Sequence, residues 1–93
     1  MQEKDIENRL VRDVHTRGGM AWKFISPGIA GVPDRIVLMP KGHMAFVELK
    51  APGKKPRPIQ KLRIRQIERL GYKVYVIEDP GQIGGVLDEI QSS

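Results

Sequence analysis

Two short, apolar-rich runs, Asp34 to Met39 and Met44 to Leu49, are separated only by Pro40-Lys41-Gly42-His43. Extended segments joined by so short a turn pair with each other, so the middle of the chain is predicted to be a β-hairpin. Upstream, Ile6, Leu10 and Val14 recur every four residues and Val11 widens the stripe. That spacing predicts an amphipathic helix over residues 3–17, stopped by Gly18-Gly19. Met20 to Ile25 reads as a strand, and Ser26 to Pro33, with its prolines and glycines, as a loop. Downstream, Pro52 to Pro58 is a basic, proline-rich loop, and Ile59 to Leu70 a second helix ended by Gly71. Tyr72 to Ile77, rich in β-branched and aromatic residues, is a fourth strand. Asp79-Pro80 opens a last helix, to about Ile90. Helix, three strands, helix, strand, helix is the order of an α/β sandwich around a mixed sheet, with residues 1–93 as a single domain.

A domain of 93 residues buries a modest fraction of its surface, and with no cysteine it has neither a disulfide nor a thiolate metal site. A second copy could supply the missing burial, so a homo-oligomer is expected. No apolar run is long enough to span a bilayer. The start, Met1-Gln2-Glu3-Lys4-Asp5, is too polar and acidic for a signal peptide, so a cytoplasmic, intracellular protein is expected. The formal charge of +5 favours a polyanionic partner, nucleic acid first.

Acidic residues stand where a folded chain of this pattern should exclude them. On a wheel of about 100° per residue, Ile6, Leu10, Val11 and Val14 span about 140°, and Glu7 falls inside that arc. Glu3 falls inside it too, but lies at the helix end, where it can escape to solvent. A carboxylate facing a core is costly unless it is paired or bound to a metal. In Phe46-Val47-Glu48-Leu49-Lys50, alternation sets Phe46, Glu48 and Lys50 on one face and Val47 and Leu49 on the other. Asp34 opens the preceding strand, and in a hairpin the start of the first strand lies beside the end of the second. Asp34 and Glu48 are therefore expected to be neighbours. Two carboxylates brought together repel unless a cation sits between them, and a divalent metal serves. Lys50, two residues on, is placed to orient water or stabilise charge on phosphorus. On the second helix Ile59, Leu62, Ile64, Ile67 and Leu70 make the apolar side, with Gln60 and Arg63 within it. Gln60 there either hydrogen-bonds the site's groups or is satisfied by backbone at the core edge.

These residues resemble a known family. Pro33-Asp34 followed by Glu48-Leu49-Lys50 is similar to the Asp … Glu-x-Lys signature of the PD-(D/E)XK nuclease superfamily. The fuller pattern is more specific: Gly31-Val32-Pro33-Asp34-Arg35, Phe46-Val47-Glu48-Leu49-Lys50, Gln60, and the leading Ile6-Glu7 helix. From about Glu3 to Ile77 this resembles the stand-alone VRR-NUC domain of phages and bacteria. The resemblance implies a restriction-endonuclease-like α/β sandwich, with a central mixed four-stranded sheet flanked by helices and the active site at one edge. It implies a Mg²⁺- or Mn²⁺-dependent endonuclease hydrolysing DNA phosphodiester bonds. Asp34, Glu48 and the Leu49 carbonyl would hold the metal, with Glu7 as a further acid. Lys50 would be the catalytic lysine, and Gln60 would complete a catalytic set with Glu7, Asp34 and Glu48. By the same analogy the protein is a homodimer acting on branched, Holliday-junction-like DNA.

Lys23, Arg35, Lys54, Lys55, Arg57 and Arg63 are expected to hold double-stranded or branched DNA through its phosphates, with Arg65 and Arg69 adding to a positive rim. No recognition-helix motif or zinc finger is present, so structure-specific cutting is expected over sequence-specific cutting. His15 and His43 read as surface residues; Trp22, Tyr72 and Tyr75 read as packing the sheet. The rivals are a non-catalytic basic DNA-binding module, a nuclease for RNA or single strands, and a structural protein with ordinary Glu–Lys pairs.

Overall fold

The hairpin forms the middle of a four-stranded sheet in the order β1-β2-β3-β4. The computed structural model describes residues 1–92. Its elements are α1 (Glu3–Thr16), β1 (Met20–Lys23), β2 (Arg35–Leu38), β3 (Met44–Leu49), α2 (Pro58–Arg69), β4 (Val74–Ile77) and α3 (Ile83–Ser92). β1, β2 and β3 pair antiparallel; β4 returns through α2 to lie parallel to β3. The sheet is mixed, as expected.

β3 has the expected bounds and α2 the expected length, while β1, β2 and β4 are shorter than the sequence suggests. β1 stops at Lys23 rather than Ile25, although the Phe24 N–H still donates to the Asp34 carbonyl at 2.9 Å. Asp79-Pro80 opens a 3-10 turn over Pro80–Gln82, and α3 begins only at Ile83.

Alternation divides the sheet cleanly. Ala21, Val37, Ala45, Val47, Leu49 and Ile77 face α1 and α3, which close over them with Ile6, Leu10, Val14, Ile83, Leu87 and Ile90. Most of the charge on α1 points outward, Glu7 excepted, and its buried stripe is the Ile6, Leu10, Val14 row that the periodicity predicts. Among the described residues no helix is long and apolar enough to cross a bilayer.

The other face of the sheet is a different matter. The row Trp22, Ile36, Phe46, Val74 crosses all four strands there, with Phe24 stacked 5.6 Å from Phe46 and Tyr72 edge-on at 6.2 Å. α2 covers this face only in part. Its expected apolar side is therefore not a core face: Leu62 and Leu70 are exposed, Leu70 by 77%, and Gln60 is the helix's buried residue. Trp22 and Tyr72 are likewise half-exposed rather than packed away, whereas Tyr75 packs against the core. The uncovered strip is an apolar groove of about 330 Å³, lined by Phe24, Ile29, Val32, Phe46, Ile67 and Leu70 among others.

The loop over residues 26–33 carries the chain from β1 to Asp34, and it is clamped to α2 at two points. Arg63 Nε donates to the Ala30 carbonyl at 2.7 Å. Gly31, at φ 84°, lies so close to α2 that a Cβ there would stand 2.9 Å from both Cγ1 and the carbonyl oxygen of Ile59. Neither the angle nor the space admits a side chain. Gly31→Ala is expected to destabilise the protein by roughly 2 kcal/mol, lowering the Tm by about 10 °C. A melting curve matching that of the unaltered chain would mean that the loop lifts off α2 at no cost.

Candidate active site

One step beyond the Arg35–Val47 rung of the hairpin, Asp34 stands opposite Glu48. Their meeting is fixed by backbone: the Leu49 N–H donates to Asp34 Oδ2 at 2.8 Å. Asp34 thereby takes the place of a ladder acceptor, and its carboxylate is drawn in over the end of β3. β3 is held in turn by β4, where the Lys50 N–H donates to the Ile77 carbonyl at 2.9 Å.

Glu48 is 1% exposed, and neither of its carboxylate oxygens receives a hydrogen bond. Lys50 Nζ lies 3.5 Å from Oε2, at ion-pair distance. Burial pushes the Glu48 carboxyl up to about 7, and the Asp34 carboxylate beside it adds to the rise; Lys50 pulls the other way without cancelling them. A buried, donorless carboxylate next to a second carboxylate is an unsatisfied arrangement for a protein alone. It is the donor set a hard divalent cation takes: oxygen ligands, negative charge and no competing hydrogen bond. Among the described residues no group of three or more His, Cys, Asp or Glu side chains converges to hold an ion unaided. The site therefore offers a pair of carboxylates and leaves remaining positions to backbone, water and substrate.

Glu7 reaches the site from the other side of the sheet's end. With Glu3, Lys23, Phe24, Ile25 and Asp34 it lines a cavity of about 340 Å³. Both helix acids thus border the Asp34 cavity. Glu3 is exposed, as the wheel suggests for the helix end, while Glu7 is only 18% exposed and is held by Arg35 Nε at 3.0 Å. Gln60 is buried, with its Oε1 accepting from the Arg57 N–H at 2.8 Å at the start of α2. Its oxygen thus satisfies backbone; its amide nitrogen makes no hydrogen bond among the described residues.

The basic residues separate into engaged and open groups. Arg35 turns inward to Glu7 and to the Ala21 carbonyl, while Arg63 is engaged at the surface by the Ala30 carbonyl and Gln66. Lys55 pairs with Glu78 at 3.2 Å on the surface. Lys23, Lys54 and Arg57 are exposed, Lys23 beside the Asp34 cavity. Counting charge does not reveal that Arg35 is turned inward. For Arg35 a signal existed: it shares strand parity with Val37, which puts it on the α1 face.

Residues 3–78 match the sequence profile of the VRR-NUC domain. The chain belongs to the VRR-NUC domain family. The VRR-NUC match spans every residue of the site, from Glu7 to Gln60. A relative described as "Putative nuclease p44", from Acyrthosiphon pisum secondary endosymbiont phage 1, is 47% identical over 78 residues, covering 84% of each chain. A solved structure of a VRR-NUC domain superposes with a TM-score of 0.86 at 26% identity, covering 92% of this chain and 94% of the other. The restriction-endonuclease-like α/β fold and the nuclease family are therefore shared by this chain.

Proposed function

We propose that this VRR-NUC domain is a divalent-metal-dependent endodeoxyribonuclease that hydrolyses phosphodiester bonds, and that it selects branched DNA by shape rather than by sequence. The observation that carries the reading is the Glu48 carboxylate, buried and without a donor, against Asp34 and 3.5 Å from Lys50. Asp34, Glu48 and the Leu49 carbonyl would hold Mg²⁺ or Mn²⁺, with Glu7 as an additional acid at the same cavity. Such an ion supplies Lewis-acid polarisation of the phosphoryl group and acidifies water. The chain's own residues supply the rest. The Leu49 N–H orients Asp34, Lys50 offers an ammonium to the charge that grows on the phosphate, and burial keeps that charge strongly felt. Gln60 sets the start of α2 beside the site.

Lys23, Lys54 and Arg57 are the open cations for phosphate contact, and contacts of that kind carry no sequence information. The uncovered apolar face suits a second copy, making a homodimer whose two sites meet two strands of one branched substrate. The cytoplasm of a bacterial or phage-infected cell is the setting this reading gives.

The test is a cleavage assay on linear, flap and four-way-junction DNA with Mg²⁺, Mn²⁺ or EDTA, with the protein's mass in solution measured by light scattering. Cleavage of branched substrates by a dimer, abolished by EDTA, is the expected result. Binding without cleavage under every metal condition would make the domain a non-catalytic DNA-binding module, and cleavage that survives EDTA would end the metal assignment.

A further inference from the structure

We infer that Arg35 is a positioning residue for Glu7 and makes no contact with DNA. The inference rests on the metal-dependent nuclease reading and adds to it a residue outside the acid–lysine set. Arg35 follows Asp34 directly, but alternation along β2 sends its side chain through to the α1 face. There its Nε lies 3.0 Å from Glu7 Oε2 and its Nη1 donates to the Ala21 carbonyl at 2.8 Å. One planar group thus ties α1 to β1 from a position on β2, with the Arg35 and Glu7 side chains only 14% and 18% exposed.

The tie has a direction. Glu7 stands within the helix arc that buries Ile6, Leu10 and Val14, where a carboxylate without a counter-charge is costly. The guanidinium removes that penalty and engages Oε2 only. The carboxylate is thereby held at the edge of the cavity it shares with Asp34. Fork geometry matters here: Nε and Nη1 point to separate acceptors, the Glu7 carboxylate and the Ala21 carbonyl. A lysine ammonium is compact and reaches one acceptor well but not both at the same spread. With Nε and Nη1 engaged and the side chain only 14% exposed, little of the guanidinium is open to a phosphate.

The experiment compares the unaltered protein with Arg35→Gln, Arg35→Lys, Glu7→Gln and the Arg35→Gln/Glu7→Gln double variant, each checked for folding by thermal melting. Mn²⁺ binding is read by electron paramagnetic resonance without DNA, DNA affinity by titration in EDTA over a range of salt, and cleavage by single-turnover rate. Arg35→Gln is expected to weaken Mn²⁺ binding about tenfold and leave DNA affinity within about twofold. Its salt dependence should keep the same slope, because no phosphate contact is lost. Glu7→Gln should weaken Mn²⁺ binding to a similar degree, and the double variant should be no worse than the weaker single, the mark of residues acting through one another. Arg35→Lys should recover part of the Mn²⁺ affinity, which a loss of packing alone does not explain.

A salt slope lowered by about 1 in Arg35→Gln, with Mn²⁺ affinity unchanged, would make Arg35 a DNA contact and overturn the inference. A lower Tm with Mn²⁺ binding and cleavage rate intact would overturn it too, leaving only a strut between α1 and the sheet. If the unaltered protein binds no Mn²⁺ and cuts no DNA, the nuclease reading itself fails, a result distinct from either of those.

Discussion

Lys50→Ala is expected to slow DNA cleavage by about a thousandfold at saturating metal, with DNA affinity in EDTA changed by less than about twofold. The reasoning starts from how little freedom the lysine has. Its backbone N–H is bound to Ile77, its side chain is 14% exposed, and its ammonium sits 3.5 Å from Glu48. A cation held in this way is already in place when charge develops on a phosphate, with no reorganisation at the moment of reaction. Removing it also takes away the one group that lowers the Glu48 pKa, so the carboxylate is held back further from ionising. Asp34→Asn should be as damaging by a different route, since the amide keeps the acceptor for the Leu49 N–H but loses the charge. Both variants should melt cooperatively. Single-turnover kinetics reads the effect directly, and a Lys50→Ala protein within tenfold of the normal rate would remove the lysine from the mechanism.

Glu48→Gln is expected to abolish cleavage and to stabilise the metal-free protein at alkaline pH. In the unfolded chain Glu48 ionises near 4.5; in the fold it keeps its proton up to about 7. Between those values the folded state binds more protons than the unfolded one, so stability falls as pH rises. The stability this group contributes is full below pH 4.5 and lost by the time pH passes about 7, a loss on the order of 3 kcal/mol. Glutamine carries no charge to bury and its amide can donate toward Asp34, so the variant should not show this decline. Thermal melts in EDTA from pH 4 to 8 should find the unaltered protein losing Tm through that window and Glu48→Gln gaining at least about 5 °C over it at pH 8. Adding Mg²⁺ should raise the Tm of the unaltered protein and leave that of the variant nearly unmoved. If the two proteins melt alike at pH 8 in EDTA, Glu48 is not paying a desolvation cost, and the case for an ion between it and Asp34 weakens with it.

Much of the site could be read along the chain because it is made from local rules. A hairpin with a short turn sets Asp34 opposite Glu48, alternation sets Glu48 and Lys50 on one face, and the helix wheel turns Glu7 inward. Each is a matter of period and spacing, and the structure has all three. Long-range pairing was not legible in the same way. An arginine's charge is plain in the sequence but its partner is not: Arg35 turns inward to Glu7, and Arg63 is tied at the surface to Ala30. The apolar side of α2 holds only in part, with Ile59, Ile64 and Ile67 partly buried, for a related reason. Periodicity tells which side of a helix is apolar and not whether anything lies against it; Leu62 and Leu70 have the right spacing and remain open to solvent. Gln60 drew notice as a polar residue on that side, yet the acceptor it offers goes to the Arg57 N–H, one helix start among many that need a cap.

The hydrogen bond from the Leu49 N–H to Asp34 joins two things that proteins usually keep separable. Here a slip of one residue between β2 and β3 would carry Glu48 through the sheet into the space between α1 and α3, and would bring Leu49 out in its place. A misaligned hairpin would lose its hydrophobic seal and its acid pair in the same movement. Correct strand pairing and the meeting of the two acids are therefore a single event for this chain, and a folded but miswired form has nowhere to persist.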